Sequence, residues 1–279
     1  MDATVTELGR SSYRQGMVDS WRGIIHRRQK DYVAEEVPIV LVYNNKPHVV
    51  MLATPLNLED FALGFSLTEE ILLHPSELHS IRVVQRAKGI EVRMRIPEYR
   101  FSQIESKGRN MTGRTGCGLC GATTLDQAIR KPNPVGVGFS LEAEAMMTAF
   151  EKMQQQQALH QLTGAVHAAA WLAANNNIQM IREDVGRHNA LDKLIGTLSR
   201  TGCQFDNGCL LITSRASYEM VQKAATVGIS LMAAVSAPTA LAIKLANECG
   251  LTLIGFARNN NYVIYTHPHR IQHHHPMTA

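Results

Sequence analysis

Cys117 and Cys120 stand in the stretch GRTGCGLCGATT, glycine-flanked, with Gly118 and Leu119 between them. A C-x-x-C pair can be half of a zinc knuckle, a redox couple or a nucleophile with a helper. A structural zinc site takes four ligands, commonly two such pairs. Only one pair occurs here, and Cys203, Cys209 and Cys249 are scattered among core-like segments. Zinc deaminase chemistry needs H-x-E upstream of P-C-x-x-C. Here the pair comes first, no proline precedes it, and alanines follow His167. A thioredoxin-like couple sits between a strand and a helix, and no strand pattern leads into this segment. What remains is thiol chemistry on a glycine-rich loop. Arg109 and Arg114 favour a thiolate by charge, and a helix begun by TTLDQAI would add its N-terminus. One thiol can then carry sulfur as a persulfide while the other assists or resolves. Cys117 and Cys120 are the catalytic candidates, and no metal is expected.

A second group of candidates lies where strands end. CLLIT, ISLMAAVSA and LTLIGFA read as strands separated by the helices SRASYEMVQKAATVG and PTALAIKLANECG. That βαβαβ rhythm predicts right-handed crossovers and a parallel sheet covered by helices. Ligands of such sheets bind beyond the carboxyl ends of the strands. TSRAS (213–217), SAPT (236–239) and FARNNN (256–261) should therefore share one edge. Ser214 and Ser236 are available as helix caps, with backbone N–H groups left for an anion, and Arg215 and Arg258 add charge. A phosphate-bearing ligand is the expected occupant.

The remaining elements must position these groups. Residues 1–30 are polar and aperiodic and read as a flexible arm. Over 31–100, EVPIVLVYNN and HVVMLAT predict a hairpin with its turn at Asn44-Asn45-Lys46-Pro47. NLEDFALGFSLTEEILL predicts a helix, with Asn57 as N-cap and Glu59 and Asp60 in its first turn. IRVVQRA and GIEVRMRIP complete a small ββαββ roll. The pattern dissolves over 101–139, the loop that carries the cysteine pair; loops of this length are functional or disordered. Over 140–270, LEAEAMMTAFEKMQQQ, QLTGAVHAAAWLA and DVGRHNALDKLIGTL predict helices ahead of the βαβαβ run, YVIYTH adds a strand, and 271–279 is a tail. His167 on its apolar helix is either a hydrogen-bonded core residue or functional. His188 and Asp192, one turn apart, read as a pair. His273, His274 and His275 read as tail.

Composition limits the function class. Apolar residues make up 45% and charged residues 19% of 279, the profile of a globular protein with a full core. No apolar run approaches the ~18 residues of a spanning helix. The N-terminal residues show no apolar signal core, so a cytoplasmic protein is expected. Five cysteines without framework spacing fit a reducing compartment. A net charge of +4 is too small to imply nucleic acid. The basic residues of 82–114 are either a solvated strand face or a surface for an anionic or acidic partner.

EEVP with LVYN, EDFALGFSLTE, GRTGCGLCG, LTGAVHAAAW, EDVGRHNALDKLIG, SRASYEMV, VSAPTALA and LTLIGF together give the chain its resemblance. It resembles the formate dehydrogenase accessory sulfurtransferases, the FdhD family, over nearly its whole length. The resemblance implies a cytoplasmic homodimer whose large three-layer αβα domain is similar to the cytidine deaminase fold without the zinc site. It implies a sulfurtransferase moving sulfur from a cysteine desulfurase to the molybdenum cofactor, bis-molybdopterin guanine dinucleotide, before insertion into apo formate dehydrogenase. The persulfide cysteine maps onto Cys117 and its partner onto Cys120. The cofactor-binding segment maps onto Phe256, Ala257, Arg258, Asn259, Asn260 and Asn261, where family members often carry glycine and further basic residues. A binding chaperone for cofactor or apoenzyme, with regulatory thiols, is the other reading.

Overall fold

The computed structural model describes residues 6–7, 10–106 and 129–273, so Cys117 and Cys120 lie outside the described residues. The chain first forms a long antiparallel ribbon, β1 (Tyr13–Arg22) with β2 (Ile25–Ala34). Over 13–30 the chain is therefore paired strand, where an aperiodic arm was expected. Most of the ribbon faces solvent, so it lacks the apolar alternation that would announce strands.

Next come β3 (Val37–Tyr43) and β4 (Lys46–Ala53), joined as expected through Asn44 and Asn45, at φ 46° and 70°. Two left-handed residues give the hairpin a twist matching its strands. Helix α1 (Leu58–Thr68) follows, with Asn57 at its N-cap position but making no side-chain cap bond. Strands β5 (Ser80–Arg86) and β6 (Gly89–Arg95) complete a sheet of order β4-β3-β6-β5, with β3 parallel to β6. Ile39, Leu41, Tyr43, Ile90, Val92 and Met94 point inward from alternate positions. The outer face carries Arg82, Arg86, Arg93 and Arg95 in solvent. Helix α2 (Glu98–Ser106) was not anticipated; its polar sequence buries only Phe101.

The second half comprises α3 (Ala143–Gln156), α4 (Ala158–Thr163), β7 (His167–Ala173), β8 (Ile178–Asp184) and α5 (Arg187–Arg200). It continues with β9 (Gly208–Ile212), α6 (Tyr218–Thr226), β10 (Leu231–Ala234), α7 (Ala240–Cys249), β11 (Thr252–Arg258) and β12 (Asn261–Thr266). The sheet order is β8-β7-β9-β10-β11-β12. Only β9, β10 and β11 run parallel, as expected; β7 and β12 are antiparallel to their neighbours.

The HAAAWLA segment is a strand, not the helix its alanines suggest. Gly164, at φ 66°, ends α4, and Ala is the best helix former in isolation. Packing overrides that preference. Ala168, Ala170 and Leu172 face the α3 side of the sheet, while Ala169 and Trp171 face the α5 side. Trp171 lies over Gly208, where any Cβ would meet the indole at 2.3 Å.

Helix α3 covers one face of this sheet, and α5, α6 and α7 cover the other, giving three layers. The core on the α5 side runs without a break into the first sheet through α1. α1 and α5 touch backbone to backbone: a Cβ on Gly64 would fall 1.7 Å from the Asp192 carbonyl oxygen, and one on Gly196 1.9 Å from that of Asp60. No helix among the described residues is long and apolar enough to cross a membrane.

Candidate functional site

Since β9, β10 and β11 are parallel, their carboxyl ends open on one edge, and the loops beyond them interlock there. Ala216 pairs with Pro238 as an isolated parallel bridge, and the Thr239 N–H donates to the Ala216 carbonyl at 3.1 Å. The Phe256 N–H donates to Ser236 at 3.3 Å, and a Cβ on Gly255 would strike the Pro238 ring at 2.7 Å. TSRAS, SAPT and FARNNN therefore form one rim. The bridge also carries extended backbone past the strands, so the helices start later than expected. Ser217 and Thr239, rather than Ser214 and Ser236, hold the N-cap positions, and the Ser217 side chain makes no cap bond. The Thr239 side chain accepts from the Ala242 N–H, whereas the buried Ser214 hydroxyl donates to the Arg215 carbonyl at 3.1 Å.

Arg215, Phe256, Arg258, Asn259, Asn260 and Asn261 are exposed and Ser236 is half-buried. Ala257 is fully buried in the core and presents no side chain to the rim. Asn259 and Asn260, at φ 52° and 57°, make the two-residue turn into β12, which is the use of asparagine there. Phe256 sits in a bulge at φ 55°, a conformation costing an aromatic residue roughly 1–3 kcal/mol. It is 38% exposed.

The same edge holds a cluster that the sequence did not announce. β8 ends and β7 begins on it, so α5 starts there with Arg187 and His188, and His167 stands opposite Asp184. His188 Nε2 lies 2.7 Å from Glu219 Oε2 on α6, with both residues buried. The expected pairing of His188 with Asp192 does not form: Asp192 binds Thr68 and Lys223. Arg187 approaches Glu219 at 4.0 Å, and its Nε is buried without a partner. Burial, and then the charges of Arg187, His160 and His188, hold the His167 imidazole below its ordinary pKa.

Buried polar bonds fix this edge to the first sheet. The Asp184 carboxylate meets Lys193 Nζ at 2.6 Å with both side chains fully buried. It also accepts from the N–H of Thr54, the N–H of Gly186 and the Asn189 amide. A second network ends at Arg130. Lys223 Nζ binds Thr68 Oγ1 at 2.9 Å, Asp192 Oδ2 at 3.0 Å and Glu69 Oε1 at 3.1 Å. Glu69 in turn binds the Arg130 guanidinium, and the Tyr218 hydroxyl donates to the Arg130 carbonyl at 2.6 Å. Burial opposes the Glu69 carboxylate, but Lys223 and Arg130 outweigh it and hold the group down at about 2. Arg130 is thereby seated beside the first residue of α6, next to TSRAS.

Burial pushes the thiols of Cys203, Cys209 and Cys249 up, so they are poor nucleophiles near neutral pH. Cys209 and Cys249 behave as the small core residues expected of them. No group of His, Cys, Asp and Glu among the described residues could hold a metal ion.

Residues 34–272, which span both sheets and the rim, match the family model described as the FdhD/NarQ family. The chain belongs to the FdhD/NarQ family. It is 50% identical over 256 residues to the sulfur carrier protein FdhD of Cupriavidus necator, covering 92% of this chain and 89% of the relative. The protein of that name from Bordetella petrii is 48% identical, covering 88% of each chain. A crystal structure from Desulfotalea psychrophila, described as a formate dehydrogenase accessory protein, matches with a TM-score of 0.73. It is 21% identical and covers 93% of this chain and 99% of its own, so what it shares is the fold.

Proposed function

We propose that this protein is a cytoplasmic, homodimeric sulfur carrier serving formate dehydrogenase. Cys117 accepts sulfur from a cysteine desulfurase as a persulfide, and Cys120 assists or resolves its release. The acceptor is the molybdenum cofactor, bis-molybdopterin guanine dinucleotide, held as substrate on the rim before it enters apo formate dehydrogenase. On this reading the large sheet is a deaminase-like scaffold whose zinc chemistry has given way to sulfur transfer.

One observation carries the reading: over nine-tenths of the chain, half of the aligned residues are identical to those of a protein named as a sulfur carrier. The geometry supports it. The described thiols are protonated by burial, so the exchange chemistry falls to the C-x-x-C pair. Arg130 beside Tyr218 sets one end of that segment next to the rim. From Cys120 to Arg130 is ten residues, a contour of at most about 33–36 Å. The rim offers exposed Arg215 and Arg258, the start of α6 and the Phe256 ring, a set suited to the phosphates and flat base of a nucleotide.

The test is incubation with a cysteine desulfurase and cysteine, followed by peptide mass spectrometry. Wild type should gain the mass of one sulfur atom on Cys117. Cys117→Ala should fold, gain none there and leave formate dehydrogenase inactive. An active enzyme matured with Cys117→Ala would refute the carrier and favour a chaperone that only holds cofactor or apoenzyme.

A further inference from the structure

The rim has two ends. The turn after β11 lies at one, and Arg187, His188, Glu219 and His167 lie at the other, around β8, β7 and β9. Strands are spaced by about 4.8 Å, so β11 and β7, three strands apart in the order, are roughly 14–15 Å from each other. A nucleotide-bearing ligand with one end on the turn after β11 crosses β10 and β9 before it reaches the histidines. The end remote from the nucleotide, where sulfur arrives, then meets the second cluster.

We propose that His188, oriented by Glu219, is the acid–base group for sulfur transfer at this end of the rim; this rests on the sulfur-carrier reading above. The carboxylate at 2.7 Å from Nε2 selects the tautomer with its proton on Nε2, leaving the Nδ1 lone pair as the base. A carboxylate that fixes an imidazole, which then moves protons for a sulfur or oxygen nucleophile, is the logic of the Cys-His and Ser-His catalytic sets. The pair bridges the first turns of α5 and α6, and the Asp184–Lys193–Asn189 bonds hold α5 in place beneath it. Arg187 on α5 lies 4.0 Å from Glu219, and the charge of His188 reaches the His167 imidazole on β7.

The reaction requires such a group. With R–S–SH the persulfide, R′–SH a resolving thiol and A=O the acceptor, the balance is R–S–SH + R′–SH + A=O → R–S–S–R′ + A=S + H2O. The S–S bond of the persulfide breaks as the disulfide forms, and the thiol supplies the electron pair that reduces the departing sulfur. Both S–H protons end on oxygen. His188 takes the thiol proton on Nδ1, which raises its nucleophilicity, and returns it to the oxygen that leaves as water.

The test uses the full chain, loaded with persulfide by inorganic polysulfide, then mixed in a single turnover with isolated molybdenum cofactor. Residual persulfide and the new disulfide are followed by mass spectrometry. His188→Gln should load persulfide and bind a guanine nucleotide as wild type does, yet transfer sulfur on the order of 10²–10⁴-fold more slowly. Glu219→Gln keeps a hydrogen-bond acceptor without the charge and should slow transfer at least about tenfold by the same proton-transfer logic. Free imidazole should restore saturable transfer to His188→Ala, which a purely structural pair would not allow. Transfer at the wild-type rate by His188→Gln overturns the assignment, as does a slow His188→Ala that imidazole leaves unchanged. If His188→Gln does not fold, Glu219→Gln at the wild-type rate overturns it. Wild type that takes no persulfide on Cys117 brings down the carrier reading as well, whereas a loaded wild type matched by its variants brings down only the dyad.

Discussion

Replacing Lys223 by Met would test whether the network that holds Arg130 is a structural seat. Methionine keeps much of the length of the side chain and removes the charge. Lys223 is nearly fully buried and is bonded to Asp192, Glu69 and Thr68. Burial disfavours its ammonium, yet Asp192 and Glu69 hold its pKa above the ordinary value. Without it, Glu69 keeps Arg130, but Asp192 becomes a buried carboxylate with Thr68 as its remaining hydrogen-bond donor. Breaking a buried pair from one side costs about 3–5 kcal/mol. With an unfolding entropy near 2.1 cal/mol/K per residue, 279 residues give about 0.6 kcal/mol/K, so Tm should fall by roughly 5–9 °C at pH 7. Burial already holds the Asp192 pKa above its ordinary value, and losing the lysine raises it further. A raised folded-state pKa penalises stability above that pKa and not below the unfolded one. The deficit should therefore shrink as pH falls toward 3.8, and Lys223→Met with Asp192→Asn should regain much of the loss. Calorimetric scans of the three proteins across pH would decide. A Tm within about 2 °C of wild type at pH 7, less than half the smallest expected shift, would refute the seat.

Gly64→Ala should cost at least the upper end of the ~1–3 kcal/mol typical of overpacking, because its methyl would sit 1.7 Å from a carbonyl oxygen of α5. Gly16→Ala, with nothing within 4 Å, is the control, and urea titration compares them. Burial opposes the Glu77 carboxylate, but bonds from Tyr99, Arg100 and the N–H groups of Leu73 and His74 hold it down at about 2. Its stabilisation is complete above the ordinary 4.5 and lost as pH falls to about 2, so Glu77→Gln should lose about 1–3 kcal/mol at pH 7 and match wild type near pH 2 in denaturant titrations. Arg215→Ala should weaken calorimetric binding of a guanine nucleotide about tenfold or more, the worth of one charge-assisted bond, and leave persulfide loading unchanged; equal binding would remove Arg215 from the site.

Much of this molecule was legible in residue order. The hairpin at Asn44 and Asn45, α1, α3, and the β9 to β11 run with its helices follow from alternation, helical spacing and turn chemistry, all local properties. The same logic placed the three rim loops on one edge, because parallel strands must end together. The motifs carried the family. Three things needed the tertiary structure. HAAAWLA is a strand because helices press on both faces of its sheet, a long-range constraint that outweighs the preference of alanine. The β1–β2 ribbon is paired along its length, with most of its side chains in solvent, so no burial pattern could mark it. His188 meets Glu219 and not Asp192, because α5 and α6 begin on one edge and bring together residues thirty-one positions apart. Sequence spacing reports neighbours along one helix; only the packing of two helices decides which carboxylate an imidazole meets.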